Sequence, residues 1–158
     1  MSLLDDLRAL PAAGRLLGLD VGDKTVGLAV SDSARSIASP VDTIRRGKLA
    51  ADVAALQGFI ASRQPVALVI GLPVNMDGSE GPRCQSVRAF ARNIAQRGIA
   101  LPQAFWDERL STAAVERFLI GEADMTRARR DRVVDKMAAA YILQGALDAL
   151  RRPAPPAD

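Results

Sequence analysis

The chain has 158 residues, 49% of them hydrophobic and 25% charged, with a formal net charge of +3. That length suits one domain burying roughly 70% of its unfolded surface, with no need of disulfide or metal staples. A single cysteine, Cys84, excludes an internal disulfide and a cysteine-built zinc site. The absence of histidine removes Ser-His-Asp and Cys-His catalysis, histidine general bases and histidine-ligated metal. Any chemistry falls to carboxylates, lysine, arginine or an oxygen-ligated metal. All of the 21 basic residues except Lys24, Lys48 and Lys136 are arginines. A planar guanidinium suits phosphate, so this balance fits a polyanionic partner, although genome base composition can also raise arginine. No run approaches the ~20 apolar residues of a membrane span. Met1–Asp6 lacks the basic start and apolar run of a signal peptide, so a cytoplasmic protein with no membrane association is expected.

In chain order, residues 3–10 read as a short amphipathic helix ended by Pro11 and Gly14. Residues 15–20 form an apolar strand, and a second strand at 25–31 follows the turn at Gly22-Asp23. A third is expected around 36–46, with Pro40 limiting its pairing. Short connections make these three antiparallel neighbours. Residues 48–63 have helical spacing, and 66–72 form a continuous apolar strand stopped by Gly71 and Pro73. Residues 74–82 are rich in turn formers. A helix then runs from about 83 to 97, ended by Gly98, with Cys84 expected to be partly buried on it. A strand at 101–107, a helix at 112–120 and a last helix at 132–150 complete the order, before a proline-rich tail expected to be disordered. The later strands need crossovers, so they should run parallel to the first, with helices on both faces. The expected fold is α/β, a single domain with a mixed five-stranded sheet of three antiparallel strands and then two parallel ones.

Acids stand at three places where such a fold positions ligands. Asp20 ends an apolar strand; a carboxylate there serves either a ligand site at the strand ends or the local turn. Asp107 and Glu108 end the last strand and point to opposite faces if it continues, so at most one should face a shared centre. Arg109 can pair with either, or the whole run is a charged loop with Ser111 or Thr112 capping the next helix. Asp135 has Ala138, Ala139 and Ile142 at its i+3, i+4 and i+7 positions, which puts it on the packed face of the last helix. An acid there costs stability unless paired, hydrogen-bonded or on a metal, or else it complements the helix dipole. Carboxylates converging on two magnesium or manganese ions would activate water at a phosphodiester.

Four segments carry a resemblance. Gly18-Leu19-Asp20-Val21-Gly22-Asp23-Lys24-Thr25-Val26-Gly27-Leu28-Ala29-Val30-Ser31-Asp32 resembles the opening motif of the YqgF/RuvX family, ribonuclease H-like nucleases related to Holliday-junction resolvases. The similarity continues through Val69-Ile70-Gly71-Leu72-Pro73-Val74-Asn75-Met76-Asp77-Gly78-Ser79 and Asp107-Glu108-Arg109-Leu110-Ser111-Thr112. It ends at Val134-Asp135 and the alanine-rich helix reaching Ile142-Leu143-Gln144. The four follow the family's order over residues 15–150. Residues 1–14 would then be an N-terminal extension, 15–150 the ribonuclease H-like nuclease domain and 151–158 the tail.

The resemblance implies a magnesium- or manganese-dependent nuclease working on the 5′ end of the 16S ribosomal RNA precursor in the bacterial cytoplasm. Its acidic and metal-holding centre would be Asp20, Glu108 and Asp135, with Asp107 as a fourth acid of open role. Lys24 and Arg109 would contact phosphate and Asn75 would shape the loop beside the cleft. Branched DNA cut by a Holliday-junction-type resolvase is the alternative substrate, and a weakly active or inactive RNA-binding factor in ribosome assembly is the alternative function. Asp20–Thr25 also resembles the phosphate loop of the actin and sugar-kinase fold, but that fold needs two such domains. Whether the protein is a monomer or a homodimer stays open. Arg127, Arg129 and Arg130, with Arg132, crowd the segment before Asp135; read as a mobile link over residues 121–131, they supply forks for a phosphate backbone near the acids. Arg45, Arg46 and Lys48 are the next basic surface.

Overall fold

The computed structural model describes residues 2–109 and 127–152, with side chains from residue 136 onward in the second stretch. Helix α1 (Leu3–Arg8) is followed by strands β1 (Leu16–Val21), β2 (Thr25–Ser31) and β3 (Ala38–Arg45). Helix α2 (Leu49–Arg63), β4 (Ala67–Leu72), α3 (Pro82–Gln96), β5 (Gln103–Asp107) and α4 (Arg127–Arg151) complete the order. The helix expected at 112–120 and the tail beyond residue 152 lie outside the described residues.

The sheet order is β3-β2-β1-β4-β5. A three-residue connection leaves β1 and β2 no geometry but antiparallel, and Asp20 pairs with Gly27. Strand β3 adds antiparallel to β2, and there Val41 is the extra residue between the pairs Leu28–Asp42 and Ala29–Pro40. Pro40 is thus tolerated on an edge strand beside a bulge, where its missing N–H breaks no regular ladder. The helical crossover α2 brings β4 back parallel to β1, and α3 brings β5 parallel to β4. Every expected strand and pairing direction is present.

Alternation divides the sheet into two cores. On one face Leu17, Leu19, Leu68, Ile70 and Leu72 pack against Val53 and Leu56 of α2 and Val87, Phe90 and Ile94 of α3. On the other, Leu16, Ala67, Val69 and Ala104 pack against Ala139, Leu143 and Ala146 of α4, with Leu7 and Leu10 from the N-terminal segment. Burial of both faces explains the unbroken apolar run of β4. Period-two spacing then puts Gly18, Asp20, Gly71 and Trp106 on the α4 face.

Helix α4 lies very close to that face. A Cβ at Gly18 would stand 2.9 Å from Leu143 Cβ and 3.3 Å from the Ala139 carbonyl. The helix is also pinned to the edge strand by the Gln144 amide. Its Oε1 accepts from the Ala38 N–H at 2.9 Å, and its Nε2 donates to the Ser36 carbonyl at 3.1 Å.

Two expectations are corrected. The last helix already includes Arg127, not only residues from near 132, so Arg127, Arg129 and Arg130 belong to it and not to a link, while residues 121–126 of the expected link lie outside the described residues. The apolar stripe that marks a helix in sequence starts only at Val133, but arginine and alanine are strong helix formers and carry the helix backwards from it. Cys84 is fully buried, because α3 presents Cys84, Val87, Ala91 and Ile94 on one stripe. Burial pushes its thiol up, with Glu80 adding to the rise, which suits a packing residue and not a nucleophile.

Replacing Gly18 with Ala should force α4 off the sheet and destabilise the protein by about 1–3 kcal/mol. A lower urea midpoint with unchanged slope is the expected result; an unchanged midpoint would contradict so close an approach.

Candidate active site

Asp20 reaches the α4 face near the carboxyl end of β1, at the centre of the sheet. Glu108 follows β5, two strands away, and its N–H donates to the Leu72 carbonyl at 3.3 Å. That bond extends the β4–β5 pairing by one residue, and alternation then puts Glu108 on the α4 face. The space between belongs to Gly71: a Cβ there would stand 2.5 Å from Glu108 Oε2 and 2.6 Å from Ile142 Cδ1. Any larger residue on β4 would push Glu108 away, so the missing side chain lets a carboxylate from β5 cross β4 towards β1.

The two acids meet. Burial, and next the charge of Asp20, push the Glu108 carboxyl from its ordinary 4.5 up to about 7; a hydrogen bond to Asp20 and the charge of Asp107 add to this, while Arg83 opposes it. Two carboxylates in hydrogen-bond contact cannot both ionise freely, so one proton is shared between them in the metal-free protein.

Asp107 takes a different course. Its oxygens accept from the Arg109 backbone N–H at 3.0 Å and from Arg109 Nε at 2.7 Å, with Nη2 at 2.6 Å. Of the adjacent acids, Glu108 joins Asp20 and Asp107 holds Arg109. Arg109 Nη1 also reaches the Met76 carbonyl at 3.5 Å, which ties it to the loop after β4.

That loop is internally braced. Asn75 N–H donates to the Ser79 carbonyl at 2.9 Å, and Asn75 Nδ2 donates to Ser79 Oγ at 3.0 Å. Asp77 Oδ1 accepts from the Ser79 N–H and hydroxyl at 2.9 and 2.6 Å. Between it and the start of α3 opens a cleft of about 270 Å³ whose polar lining is Asn75, Arg83, Glu108 and Arg109. Arg83 was not singled out in the sequence. Its only signal there is a basic residue directly after Pro82, at a helix start that follows a turn-rich run ending a strand.

Lys24 is exposed in the β1–β2 turn. Beside it Arg46 donates to the Gly22 carbonyl through Nη1 at 2.6 Å and stacks 4.8 Å over Phe90. Arg46 therefore braces the turn, while Arg45 and Lys48 stay exposed.

Asp135 lies within α4, its side chain outside the described residues; only its place on the helix can be given. Ala139 and Leu143 cross at Gly18, whereas Gln144 and Arg151 reach Ser36 and Ala38 beside the amino end of β1. Earlier residues of α4 therefore run towards the carboxyl end of β1. Position 135 is one turn before Ala139, about 6 Å along the axis, close to the rise from residue 18 to 20 on a strand. Arg127, Arg129 and Arg130 continue in the same direction.

Asp20 and Glu108 fit a divalent cation by the chemistry of the donors. Two hard oxygen ligands held together against their mutual repulsion are what magnesium or manganese neutralises. Among the described residues no third acid, cysteine or histidine joins them.

The RuvX family, described as Holliday junction resolvase, matches residues 14–149. A protein of Rhodospirillum centenum that carries the provisional name pre-16S rRNA nuclease is 62% identical over 155 residues, covering 96% of this chain and 82% of its own. One of the same name from Phenylobacterium zucineum is 60% identical over 154 residues, covering 96% and 99%. Among solved structures, T. thermophilus RuvC in complex with a Holliday junction substrate superposes with TM-score 0.53 at 15% identity, over 86% of this chain and 94% of that one. The yeast mitochondrial Holliday junction resolvase gives 0.54 at 12% identity, over 94% and 84%. These likenesses show the ribonuclease H-like fold expected from the sequence.

The raised Glu108 carboxyl sets a pH dependence in metal-free protein. Between about pH 4.5 and about 7 the folded chain keeps a proton that the unfolded chain has lost, so stability falls as pH rises through that window. Glu108→Gln removes this loss. In EDTA, the variant should gain stability relative to wild type on going from pH 5 to pH 8, read as the difference in urea midpoints. A difference that does not change with pH would contradict the shared proton.

Proposed function

The chain belongs to the RuvX family, and from that membership we propose that it is a metal-dependent nuclease hydrolysing phosphodiester bonds in 5′-end maturation of the 16S ribosomal RNA precursor. The observation that carries this reading is the Asp20–Glu108 pair beside a cleft edged with arginine. Relatives of about 60% identity named for the same RNA supply the substrate. A protein acting on such a substrate would work in the bacterial cytoplasm. No helix among the described residues is long and apolar enough to cross a membrane.

In this reading Asp20 and Glu108 hold magnesium or manganese, with Asp135 as the third acid from α4. Bound metal would supply Lewis acidity that activates water and stabilises the leaving oxygen. The chain's own residues do the rest. Gly71 leaves room for Glu108 over the sheet, where it and Asp20 would hold the metal once their shared proton is lost to solvent. Asp107 acts through Arg109, fixing its fork beside the loop that Asn75 shapes. Lys24 and Arg109 meet phosphates near the acids, and Arg127, Arg129 and Arg130 meet them further along α4. A basic rim is required, since bare carboxylates repel a nucleic acid.

Purified protein should cleave precursor 16S RNA in manganese, and Asp20→Asn should lower the rate by orders of magnitude while keeping the fold. Full activity in Asp20→Asn or in EDTA would overturn the metal-dependent reading. A four-way DNA junction in the same assay tests the resolvase alternative, which the family's description favours. Binding without cleavage of either substrate would favour an assembly factor.

Changing Arg127, Arg129 and Arg130 together to Ala should weaken RNA binding and flatten the slope of log affinity against log salt by roughly 2–3. Parallel slopes would place the RNA path elsewhere, with Arg45 and Lys48 next to test.

A further inference from the structure

The arginines around the acidic pair differ in what they already hold. Arg109 is bound to Asp107 at 2.6–2.7 Å. Arg88 donates to both oxygens of Glu80 at 2.8 and 2.9 Å and stacks 4.7 Å over Phe105. Arg46 is spent on the Gly22 carbonyl and Phe90. Each of these forks is engaged in bracing the fold.

Arg83 is the exception. It is exposed, lines the same cleft as Glu108, and makes no hydrogen bond or ion pair with any described residue. Its position is nevertheless rigid: the adjacent Cys84 is completely buried, and Val87 and Ala91 hold the same face of α3 in the core. Pro82 opens the helix, and Gly81 lets it close on the loop, since a Cβ there would come within 3.2 Å of the Asn75 amide. A guanidinium on a firmly held backbone, bound to no carboxylate though its charge reaches Glu108, is thus presented to a cleft that Glu108 also lines. Left to itself, a solvent-exposed arginine so near Glu108 would be expected to close on it as an ion pair. Here the two stand apart across an open cleft.

We infer that Arg83 binds a non-bridging phosphate oxygen of the substrate strand inside this cleft, next to the bond held at Asp20 and Glu108. This rests on the nuclease reading above for the identity of the strand, and it adds a contact that the family motifs did not point to. A guanidinium offers two parallel donors to one phosphate, which fixes orientation as well as charge, and a lysine would offer charge alone. Arg109, its fork held by Asp107, meets the strand beside the loop, and Arg83 adds a second guanidinium from the α3 side of the same cleft.

The test uses a fluorescein-labelled single-stranded RNA covering the 5′ leader of the 16S precursor. Binding is measured by anisotropy across a salt series in the Asp20→Asn background, with and without Arg83→Ala or Arg83→Lys. Cleavage is measured in manganese with Arg83→Ala in the otherwise wild-type chain. Arg83→Ala should weaken binding about tenfold or more and flatten the log–log salt slope by about 0.7, the value for one lost contact to a single strand. Arg83→Lys should restore the slope but not the full affinity. The melting temperature should not move, because the side chain is exposed. An arginine that only tuned Glu108 would shift the pH profile of cleavage and leave the salt slope unchanged, and that result would overturn the inference. Parallel slopes with equal affinities would overturn it too. If wild type cleaves and Arg83→Ala cleaves equally well, the contact is wrong and the nuclease reading stands. If the salt slope responds but nothing is cleaved, the contact stands and the nuclease reading falls.

Discussion

Two carboxylates forced together determine most of what is unusual in this molecule. Asp20 and Glu108 come from strands separated by β4, and each alone would be an ordinary polar residue at a strand end. Together, half-buried, they lift one carboxyl to about 7, first through the burial of Glu108 and next through the charge of Asp20. Such a pair is unfavourable for folding, and it persists because the surrounding sheet over-determines it. The Asp20 backbone is locked into pairing with Gly27, and the Glu108 backbone is held by the Leu72 carbonyl. A bound cation would relieve the repulsion, which would give the strain and the proposed function one source.

The rest of the α4 face follows from making room for that pair. Gly71 clears the path for Glu108, while Gly18 admits α4, whose Ala139 and Ala146 have almost no side chain to hold it off. Small residues on both sides draw the helix onto the sheet, and the direction of α4 then carries position 135 towards Asp20. The Gln144 amide anchors the helix to the β3 edge at the far end. The opposite face is conventional by contrast, built from large aliphatics against α2 and α3, and it supplies the rigidity that the site needs.

What the sequence made legible follows the same division. Strands β1, β2 and β4 announce themselves through dense apolar runs, and the short connections and crossovers settle their directions. Asp20 stood out as a candidate because a carboxylate ending such a run serves either a ligand site or the local turn, and its meeting with Glu108 is a tertiary fact. The choice between Asp107 and Glu108 was not readable, because alternation says only that they differ. It was decided by Arg109 folding back on Asp107 and by the clearance at Gly71, both tertiary facts. The beginning of α4 was missed because its first turns carry charge and no apolar stripe. Arg83 was missed for a different reason: it is distant in sequence from both acids, and only the packing of α3 brings it to the cleft. Residues that act through pattern could be read; those that act through placement could not.

The most direct test of the central claim is the number of protons released when metal binds. Isothermal titration of wild-type protein with manganese, in buffers of differing ionisation enthalpy, measures that number at each pH. With a proton shared between Asp20 and Glu108 and lost only near pH 7, binding at pH 6 should release close to one proton, and binding at pH 9 close to none. Asp20→Asn should lower the release at pH 6 without abolishing it, because burial, the larger cause of the raised Glu108 carboxyl, remains. Equal and negligible release at both pH values in the wild type would mean that the carboxylates ionise independently, and that the pair is not the cation site described.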